Sequence, residues 1–426
     1  MREMKPSGVE WIGDIPQGWE VAQLGSLFIE HKYKNVGMAS DNLLSLSYGK
    51  IIRKNVNSVE GLLPESFEGY NIVDDGDIVI RLTDLQNDQR SLRVGLCHER
   101  GIITSAYVTI RKRNITTIPA FFYYAIHSYD VYKGFYGMGS GVRQGLNFSG
   151  IRKLALPLPS RSEQEAIVAF LDRKCGQVDA LVKNVQAQIE QLKAYKQSLI
   201  SETVTKGLNP NAPMKDSGVE WIGKIPQGWE VNKVNRLFSV IGSGTTPKDV
   251  DDTQHDQGIN WIQSGDINGG ILRETRFKVS QKIVNETSAL KLYQAPFIVI
   301  AMYGASIGNL STSIIDACTN QACCVLASPK ESVILDYLFY AFKPAKDYLI
   351  WKADGGGQPN ISQDKVKNLW LPVPPLPEQQ AIADFLDRKC GQIDRLIAVK
   401  QAKIEQLEAY KKSLIYEVVT GKIDCE

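Results

Sequence analysis

The sequence is first defined by motifs that it lacks. It has no Gly-x-x-x-x-Gly-Lys-Ser/Thr segment, and therefore no P-loop for a nucleotide phosphate. Its four histidines are isolated along the chain, and its seven cysteines form no Cys-x-x-Cys pair, so neither residue type predicts a zinc site. No nucleophile or acid–base pair stands in a recognisable motif, and the sequence therefore favours a chain without chemistry of its own.

The sequence also lacks a large excess of either charge and a long apolar run. The chain has 49 basic and 47 acidic residues, and this net charge of +2 predicts no global basic field for nucleic acid. Its strongest apolar run, residues 297–302, is far too short to span a membrane, and the first residues contain no apolar signal core. Together with cysteines that are typical of buried, reduced thiols, these features predict a cytoplasmic protein.

One segment is similar to part of a cofactor site. Phe135-Tyr-Gly-Met-Gly139 fits the Phe-x-Gly-x-Gly loop of S-adenosylmethionine-dependent methyltransferases. The chain lacks the Asp/Asn-Pro-Pro-Tyr/Phe segment with which such enzymes hold a flipped adenine. A comparable glycine run at 355–357 has no phenylalanine. We therefore interpret both runs as glycine turns and predict that this chain binds no cofactor.

A long repeated segment organises the sequence. Residues 163–208 return as residues 378–423, and 29 of the 46 aligned positions are identical. The eight residues Phe-Leu-Asp-Arg-Lys-Cys-Gly-Gln at 170–177 recur unchanged at 385–392. Apolar residues recur at seven-residue intervals in both copies, which predicts two long helices that each pack along one narrow stripe, as in a coiled coil.

The heptad positions define a predicted seam. It comprises Leu171, Val178, Val185, Leu192 and Leu199 in the first copy and Leu386, Ile393, Leu407 and Leu414 in the second. The half-steps between them are filled by Leu181, Val182, Ile189, Tyr195, Leu396, Ile397, Ile404 and Tyr410. Lys400 interrupts the seam once. Such helices would be roughly 60 Å long. The alternative interpretation is a core helix within one globular domain.

Local signals mark the ends of these helices. Ser160 with Glu163 forms a potential capping box at the first start. Pro377 suits the first turn of the second helix. The stretch from Gly207 to Pro213 is expected to stop the first helix and to turn the chain into its second half.

A second repeat precedes each variable region. Residues 4–21 recur as residues 214–231, with 16 of 18 positions identical. Their prolines and glycines predict extended, turn-rich straps. Their tryptophans are large anchors that need a surface to pack on: Trp11, Trp19, Trp221 and Trp229. Two copies of strap, variable block and helix predict two similar folded units related by a pseudo-two-fold axis.

The first variable block, residues 22–156, is rich in predicted strands. Residues 77–81 and 106–111 are apolar or alternating runs bounded by turn residues, and residues 120–128 predict a short helix. Between the strands, residues 81–93 are dense in Arg, Thr, Asp, Gln and Asn, which can bind base edges or phosphates. An ordinary solvated loop is an equally open interpretation.

The second variable block, residues 232–371, has the same character but different residues. Residues 261–267 and 297–306 predict strands that lead into glycine turns, and Ser243-Gly-Thr-Thr-Pro-Lys248 is a polar glycine loop. Each block ends in a glycine turn, which either allows close backbone approach to a ligand or acts only as a hinge. Similar scaffolds with unlike inserts are suited to reading two different things at a fixed distance.

These repeats together resemble a known family. Glu-Trp-Ile-Gly-x-Ile-Pro-x-x-Trp-Glu-Val, Leu-Pro-(x)-Glu-Gln-x-Ala-Ile before Phe-Leu-Asp, and the duplicated layout are similar to the DNA specificity subunit of type I restriction–modification systems. The resemblance spans essentially the whole chain. Residues 77–93 with 101–106, and 320–322 with 304–308, also resemble sequence of target recognition domains.

The resemblance implies a fold and a set of domains. It implies an α+β protein in which two strand-rich α/β target recognition domains are separated by two long antiparallel coiled-coil helices, with an internal pseudo-two-fold repeat. The expected segments are an N-terminal strap (1–21), target recognition domain 1 (22–159), a central helix (160–208), a linker and second strap (209–231), target recognition domain 2 (232–375), and a C-terminal helix that pairs with the central one (376–426).

The resemblance also implies a function and partners. Each target recognition domain would read one half of a split double-stranded DNA sequence, and the helices would fix the gap between the halves. Two modification subunits would transfer the adenine-N6 methyl group from S-adenosylmethionine, and restriction subunits would supply ATP- and Mg²⁺-dependent translocation and cleavage. This chain would itself be a non-catalytic specificity subunit, without a metal or cofactor and without a membrane contact.

Candidate DNA contacts are chosen by side-chain chemistry alone, because the family's recognition contacts follow no fixed motif. They are Lys50, Lys54, Arg81, Thr83, Asp84, Gln86, Asn87, Arg90, Arg143 and Gln144 in the first block, and Ser243, Thr245, Thr246, Lys248, Ser264, Tyr303, Ser306, Gln358 and Asn360 in the second. A few well-held Arg, Gln, Asn or Thr side chains suffice to read a half-site in the major groove.

Two other interpretations stay open at this point. The chain could be a coiled-coil interaction scaffold whose two domains bind proteins or glycans, in which case replacing Arg81, Arg90 and Arg143 would cost no binding. It could also be the specificity subunit of a different restriction class.

Overall fold

The computed structural model describes residues 2–54, 66–85, 88, 91–136, 138, 145–247, 258–353 and 360–425. The chain divides into two compact units. Unit 1 comprises residues 1–186 and 401–426, and unit 2 comprises residues 187–400. Unit 2 is therefore continuous in sequence, whereas unit 1 is assembled from both ends of the chain. None of the described helices is long and apolar enough to cross a membrane.

Unit 1 combines short strands with three small helices and parts of two long ones. Its described strands are β1 (Met4–Pro6), β2 (Asp14–Pro16), β3 (Glu20–Gln23), β4 (Phe28–Glu30), β5 (Leu44–Ser47), β6 (Lys50–Arg53), β7 (Asn71–Val73), β8 (Ile78–Ile80), β9 (Val94–Leu96), β10 (Gly101–Ile103), β11 (Val108–Lys112) and β12 (Ala155–Leu158). Its helices are α1 (Leu24–Leu27), α2 (Pro119–Val131), α3 (Phe148–Ile151), residues 161–186 of α4 (Arg161–Lys206) and residues 401–419 of α10 (Leu376–Val419).

The core of unit 1 lies between one sheet and the helices. Strands β4, β11, β8 and β9 form a four-stranded antiparallel sheet in that order. Its apolar side chains pack with Phe121 and Phe122 of α2 and with Leu171 of α4 in one continuous cluster. Strand β12 pairs with β3, so the strap is joined to the segment that leads into α4. Burial of these alternating apolar side chains is what drives the assembly.

Unit 2 repeats this plan with a larger sheet. Its described strands are β13 (Met214–Asp216), β14 (Lys224–Pro226), β15 (Glu230–Lys233), β16 (Phe238–Gly242), β17 (Ile259–Ile262), β18 (Ile271–Leu272), β19 (Phe277–Val279), β20 (Phe297–Ala301), β21 (Leu310–Ser313), β22 (Ala317–Thr319), β23 (Cys323–Pro329) and β24 (Trp370–Val373). Its helices are residues 187–206 of α4, α5 (Val234–Leu237), α6 (Gln281–Glu286), α7 (Leu335–Phe342), α8 (Ala345–Trp351), α9 (Gln363–Lys367) and residues 376–400 of α10.

Two sheets form the body of unit 2. One has the order β16-β23-β20-β21-β18 and the other the order β19-β17-β22. Strand β20 is buried at all five residues, as its uninterrupted apolar run predicts. Strand β24 pairs with β15 just as β12 pairs with β3 in unit 1.

The two predicted long helices are confirmed as α4, with 46 residues, and α10, with 44. Ser160 and Glu163 form the predicted capping box, since the Ser160 N–H donates to the Glu163 carboxylate at 3.1 Å. Gly207 follows α4 with φ of +74°, a conformation that suits glycine and ends the helix. Pro377 lies in the first turn of α10, where its missing N–H is not needed.

The helices pair antiparallel within each unit. In unit 1, Lys411 Nζ of α10 lies 2.5 Å from Asp179 of α4. In unit 2, Lys196 Nζ of α4 lies 2.6 Å from Asp394 of α10. The two ion pairs join equivalent positions of the repeat, which fixes the same antiparallel register in both units.

Burial along the predicted seam is uneven. Leu171, Val178, Leu386, Ile393 and Leu414 are buried, and Val185, Leu192, Leu199 and Leu407 are half-buried. Lys400 reaches Gln188 with its Nζ, so the interruption of the seam is met by a hydrogen bond within unit 2.

The expectation for four half-step residues is wrong. Leu181, Tyr195, Leu396 and Tyr410 are 50, 57, 52 and 53% exposed, respectively. A single partner helix covers only a narrow stripe, and these residues lie on its flank rather than on the stripe itself. Ile189 and Ile404, which we also placed in the half-steps, are buried as expected.

The shorter predicted elements are confirmed, but the strands expected at 261–267 and 297–306 end earlier than expected, the second of them at Ala301. The helix expected at 120–128 is α2, and the strands expected at 77–81 and 106–111 are β8 and β11. The strand expected at 261–267 ends at Ile262. It gives way to a 3-10 turn at Ser264–Asp266, where the Asp266 carboxylate accepts the Gln263 N–H at 2.9 Å.

The glutamate of the Glu-Gln pair that begins each long helix makes the same contact in both units. Trp19 Nε1 donates to Glu163 at 3.0 Å in unit 1, and Trp229 Nε1 donates to Glu378 at 2.9 Å in unit 2. Burial opposes ionisation of Glu163, but the hydrogen bonds from Trp19 and Ser160 outweigh it and lower its pKa. Each strap is thus fastened to a long helix by its predicted tryptophan anchor.

The repeated glutamine fastens the next element. Gln164 accepts the Ile118 N–H before α2 at 3.0 Å, and Gln379 accepts the Ile334 N–H before α7 at 2.8 Å. Both glutamines are buried, at 1 and 0% exposure. About two helix turns further on, Tyr124 and Tyr340 each donate to an aspartate of the repeat at 2.7 Å. The near-identical sequence therefore encodes near-identical fastening contacts.

Candidate nucleic-acid interface

All seven described candidates in unit 2 lie at one edge of its larger sheet. Strands β16 and β20 end at this edge, and β21 and β23 begin there, because Gly242 pairs with Val325 and Ala301 with Cys323. We call residues 243–247, 263–266, 302–309, 320–322 and 360–361 the unit 2 loop cluster. It contains the predicted contacts Ser243, Thr245, Thr246, Ser264, Tyr303, Ser306 and Asn360.

Backbone contacts hold the unit 2 loop cluster together. The Met302 N–H donates to Ala322 O at 2.8 Å, and the Ile361 N–H donates to Met302 O at 2.8 Å. Thr246 Oγ1 donates to Gln321 at 2.8 Å. A Cβ atom at Gly244 would lie 1.8 Å from Thr319 O, so this polar glycine loop requires glycine there. Several exposed or half-exposed polar side chains are thereby presented on a fixed backbone.

Unit 1 has a related but different loop cluster. Its members are residues 81–85, 88, 91–93 and 145–146, where β8 ends and β9 begins. The Leu146 N–H donates to Leu82 O at 2.8 Å, which matches the contact of Ile361 with Met302 in unit 2. Thr83 and Asp84 are half-buried, and Arg81 lies 3.2 Å from Asp88. A DNA contact by Arg81 would have to compete with this ion pair.

Two predicted contacts lie away from the unit 1 loop cluster. Lys50 begins β6 and reaches toward α4, with its Nζ 3.7 Å from Asp179. Lys54 follows the other end of β6, where its N–H donates to Leu43 O at 2.8 Å. Seven further candidates lie outside the described residues: Gln86, Asn87, Arg90, Arg143, Gln144, Lys248 and Gln358.

Sequence reasoning missed the residue that organises the unit 1 loop cluster. Arg93 is fully buried, and its guanidinium donates to several loop carbonyls, among them Thr83 O at 2.7 Å and Asp84 O at 3.1 Å. Its position at the end of a polar run gave no sign of this inward role. The only available signal was an arginine directly preceding a buried strand.

One cluster of side chains in unit 1 has the composition of a metal site, but an arginine neutralises its carboxylates. His31, Asp74 and Asp77 place ligand atoms within 4.8 Å of one another, so His31 is not isolated as expected. However, Arg111 lies between the two carboxylates, 2.7 Å from Asp74 and 2.6 Å from Asp77. A guanidinium at this position satisfies the carboxylates and repels a cation.

Within the segment that resembles a methyltransferase loop, Phe135 belongs to the core of unit 1. Phe135 is fully buried and packs edge-on against Tyr129, with ring centroids 5.0 Å apart. Burial also raises the pKa of the Cys97 and Cys323 thiols to about 12, which keeps both protonated and unreactive.

The fold and the loop clusters define a class of protein. Two α+β units share near-identical straps, helix starts and fastening contacts. They differ in the polar loops that these supports present. Such a protein is a duplicated scaffold that presents two different polar loop clusters.

Comparison with known proteins gives the family. The sequence pattern of the type I restriction modification DNA specificity domain matches residues 16–191 and 226–409. The chain belongs to this family. It is 24% identical over 430 residues to the putative type I restriction enzyme MjaX specificity subunit of Methanocaldococcus jannaschii, covering 97% of this chain and 95% of that protein. It is 26% identical over 424 residues to the MjaVIII specificity subunit of the same organism, covering 96 and 94%.

Solved structures share the fold. A chain from a structure that concerns complex assembly and conformational transition of the type I R-M system has a TM-score of 0.73 and 16% identity, with 96% of this chain and 99% of that chain covered. The HsdS subunit from Thermoanaerobacter tengcongensis has a TM-score of 0.52 and 16% identity, with 96 and 98% covered. The duplicated α+β architecture predicted from the sequence is confirmed.

Proposed function

We propose that this chain reads a split double-stranded DNA sequence for a type I restriction–modification complex. One loop cluster would read each half of the target, and partner subunits would methylate or cleave the DNA. The family supports a DNA sequence-specificity role and does not favour the alternative of a protein- or glycan-binding scaffold. The observation that carries the proposal is the pair of unlike loop clusters on near-identical supports.

Repeated exposed side chains suggest how two copies of one partner bind. Unit 1 exposes Leu181 and Tyr410, and unit 2 exposes their repeat equivalents Leu396 and Tyr195. In unit 1, Leu181 lies two residues after Asp179 on α4, and Tyr410 lies one residue before Lys411 on α10. Because Asp179 and Lys411 form an ion pair, Leu181 and Tyr410 lie at the same level of the helix pair. Large apolar side chains repeated at equivalent exposed positions are typical of an interface. We propose that each pair contacts one modification subunit.

This stoichiometry can be tested by native mass spectrometry. Replacing Leu181 and Tyr410 with Gln and Ser should reduce the complex from two modification subunits to one, because only the unit 1 pair is changed. Ile115→Gln is a matched control, since Ile115 is 76% exposed in unit 1 but its repeat equivalent Glu331 is charged. Two modification subunits in both variants would contradict the docking proposal.

The chemistry is proposed to reside in the partners. S-adenosylmethionine would bind the modification subunits, and ATP with Mg²⁺ would serve the restriction subunits. The present chain would be non-catalytic and would act by holding DNA in register while the target adenine leaves the base stack in a partner. Because its substrate is the DNA of the cell, we also propose that the complex acts in the cytoplasm.

The direct test is a map of N6-methyladenine. DNA would be compared from cells that express this chain with its modification subunit and from cells that lack only this chain. A split motif that depends on the chain is the expected result. Identical maps, or methylation without a split motif, would contradict the proposal.

A further inference from the structure

Arg93 occupies an unusual position for an arginine. It directly precedes β9, is 0% exposed, and lies beneath the polar loop that connects β8 to β9. Arginine is rarely buried completely unless its donors are paired. What Arg93 pairs with therefore defines its role.

The guanidinium is bonded at every nitrogen. Nη1 donates to Arg81 O at 3.3 Å and to Thr83 O at 2.7 Å. Nη2 donates to Asp84 O at 3.1 Å and also to Asp88 O. Four backbone carbonyls of one loop thus converge on a single planar cation, whose five donors have a fixed geometry.

Contacts with residues outside the loop also fix Arg93. Nε donates to the Tyr136 hydroxyl at 3.1 Å, and that hydroxyl lies 3.3 Å from Asp88 O. The Arg93 N–H donates to the buried Asp130 carboxylate at 2.6 Å. Arg93 therefore connects the loop to the end of α2 and to the segment that follows it.

The loop conformation depends on these bonds. Asp84 has φ of +54°, a left-handed conformation that is unfavourable for a residue other than glycine. Its carbonyl accepts from Nη2, so the guanidinium stabilises the conformation that the chain would otherwise avoid. Leu82 and Leu85 anchor the loop in the core, while Thr83 and Asp84 stay partly exposed.

We infer that Arg93 is a positioning residue for DNA recognition by unit 1, which holds the backbone of residues 81–85 and 88 so that the side chains of this loop meet their half of the target in one fixed arrangement. The inference rests on the proposed function. A preformed loop loses little conformational entropy on binding, and it presents its donors and acceptors at the geometry that base edges require. Arg93 itself need not touch the DNA.

The experiment uses the chain assembled with its modification subunits. The wild-type complex is first used to map the split methylation motif. Duplex oligonucleotides with the mapped site, and with single base-pair changes in either half, then serve as probes in competition binding. Arg93→Lys keeps the charge but removes the fork that reaches the four carbonyls. We expect discrimination to fall roughly tenfold or more at base pairs of one half-site, with the other half-site unchanged.

Two further variants make the result specific. Arg111→Lys is the control, because Arg111 is a half-buried arginine of unit 1 that pairs with Asp74 and Asp77 near the opposite end of β8. It should leave discrimination at both half-sites unchanged. If Arg93→Lys does not assemble, Tyr136→Phe removes only the phenol contacts and should weaken discrimination at the same single half-site.

The outcomes separate the inference from the proposed function. A wild-type complex without a split motif would contradict the proposed function. A wild-type split motif with full discrimination in an assembled Arg93→Lys complex would overturn the inference. Equal weakening for all probes would overturn it too, since a positioning role requires that only one half-site be affected. If Arg93→Lys does not assemble, full discrimination in the Tyr136→Phe complex would likewise overturn it.

Discussion

The buried glutamines of the repeat provide a quantitative test of the fastening contacts. Gln379 accepts the Ile334 N–H at 2.8 Å and donates to Pro374 O at 2.8 Å and Ser332 O at 2.9 Å. Gln379→Met keeps the volume but removes these bonds. The carbonyl of the exposed Ser332 can accept a hydrogen bond from water instead. The Ile334 N–H and Pro374 O would be left without a hydrogen-bond partner. At ~1–3 kcal/mol for each of these two groups, the expected loss is about 2–6 kcal/mol.

The equivalent change in unit 1 should cost a similar amount. Gln164 accepts the Ile118 N–H at 3.0 Å and donates to Pro159 O at 3.0 Å, so Gln164→Met also strands two groups. Hydrogen exchange followed by mass spectrometry should show faster exchange at the start of α7 for Gln379→Met and at the start of α2 for Gln164→Met. A loss of about 3 kcal/mol corresponds to roughly a hundredfold increase in exchange rate.

A neighbouring residue supplies the control for this prediction. Gln380 is exposed, and its amide donates only within its own helix, to Asp384 at 2.8 Å. Gln380→Met therefore makes the same chemical change without stranding a buried group, and exchange should stay at the wild-type rate. If Gln379→Met and Gln380→Met behave alike, the fastening role of the buried glutamine is refuted.

Two further predictions concern unit 1. Burial lowers the pKa of His127 to about 4, with Lys411 and Lys412 adding to the shift, so the neutral imidazole is the form that the fold accepts. The unfolded chain binds this proton near pH 6.5, so stability should fall by up to roughly 3 kcal/mol as the pH drops from 6.5 to 4. Melting curves should lose this part of the pH dependence in His127→Phe. Gly421→Ala should lower the melting temperature, because φ is +75° and a Cβ would lie 2.4 Å from Pro16. Gly176→Ala should raise it slightly, since that helical position is open; equal effects of the two glycine changes would contradict this reading.

The parts of the fold that could be predicted are those encoded locally or by repetition. The capping box at Ser160, the stop at Gly207 and the tryptophan anchors each depend on residues close in sequence or on an evident duplicate. The heptad pattern gave the helices but not the direction of every side chain. Leu181 and Tyr410 fit a heptad and still face outward, because periodicity does not say how many partners surround a helix.

The loop clusters show where sequence reasoning stops. The polar composition of residues 81–93 marked the loop, but composition does not reveal which side chain turns inward. Arg93 and Arg81 have the same side chain, yet one is fully buried against carbonyls and the other forms a partly exposed ion pair. The distinction depends on the positive φ at Asp84 and on Tyr136, which is distant in sequence.

The division of the chain between its units has a consequence for synthesis. All of unit 2 lies in residues 187–400, whereas the core of unit 1 includes Leu414, Ile415, Val418 and Val419 near the end of α10. A ribosome that works from the amino terminus therefore adds every residue of unit 2 before it adds the last core residues of unit 1. The half of the protein that is made first is the half whose core is completed last. A nascent chain halted after residue 400 would expose the unfinished apolar face of unit 1 to chaperones and proteases.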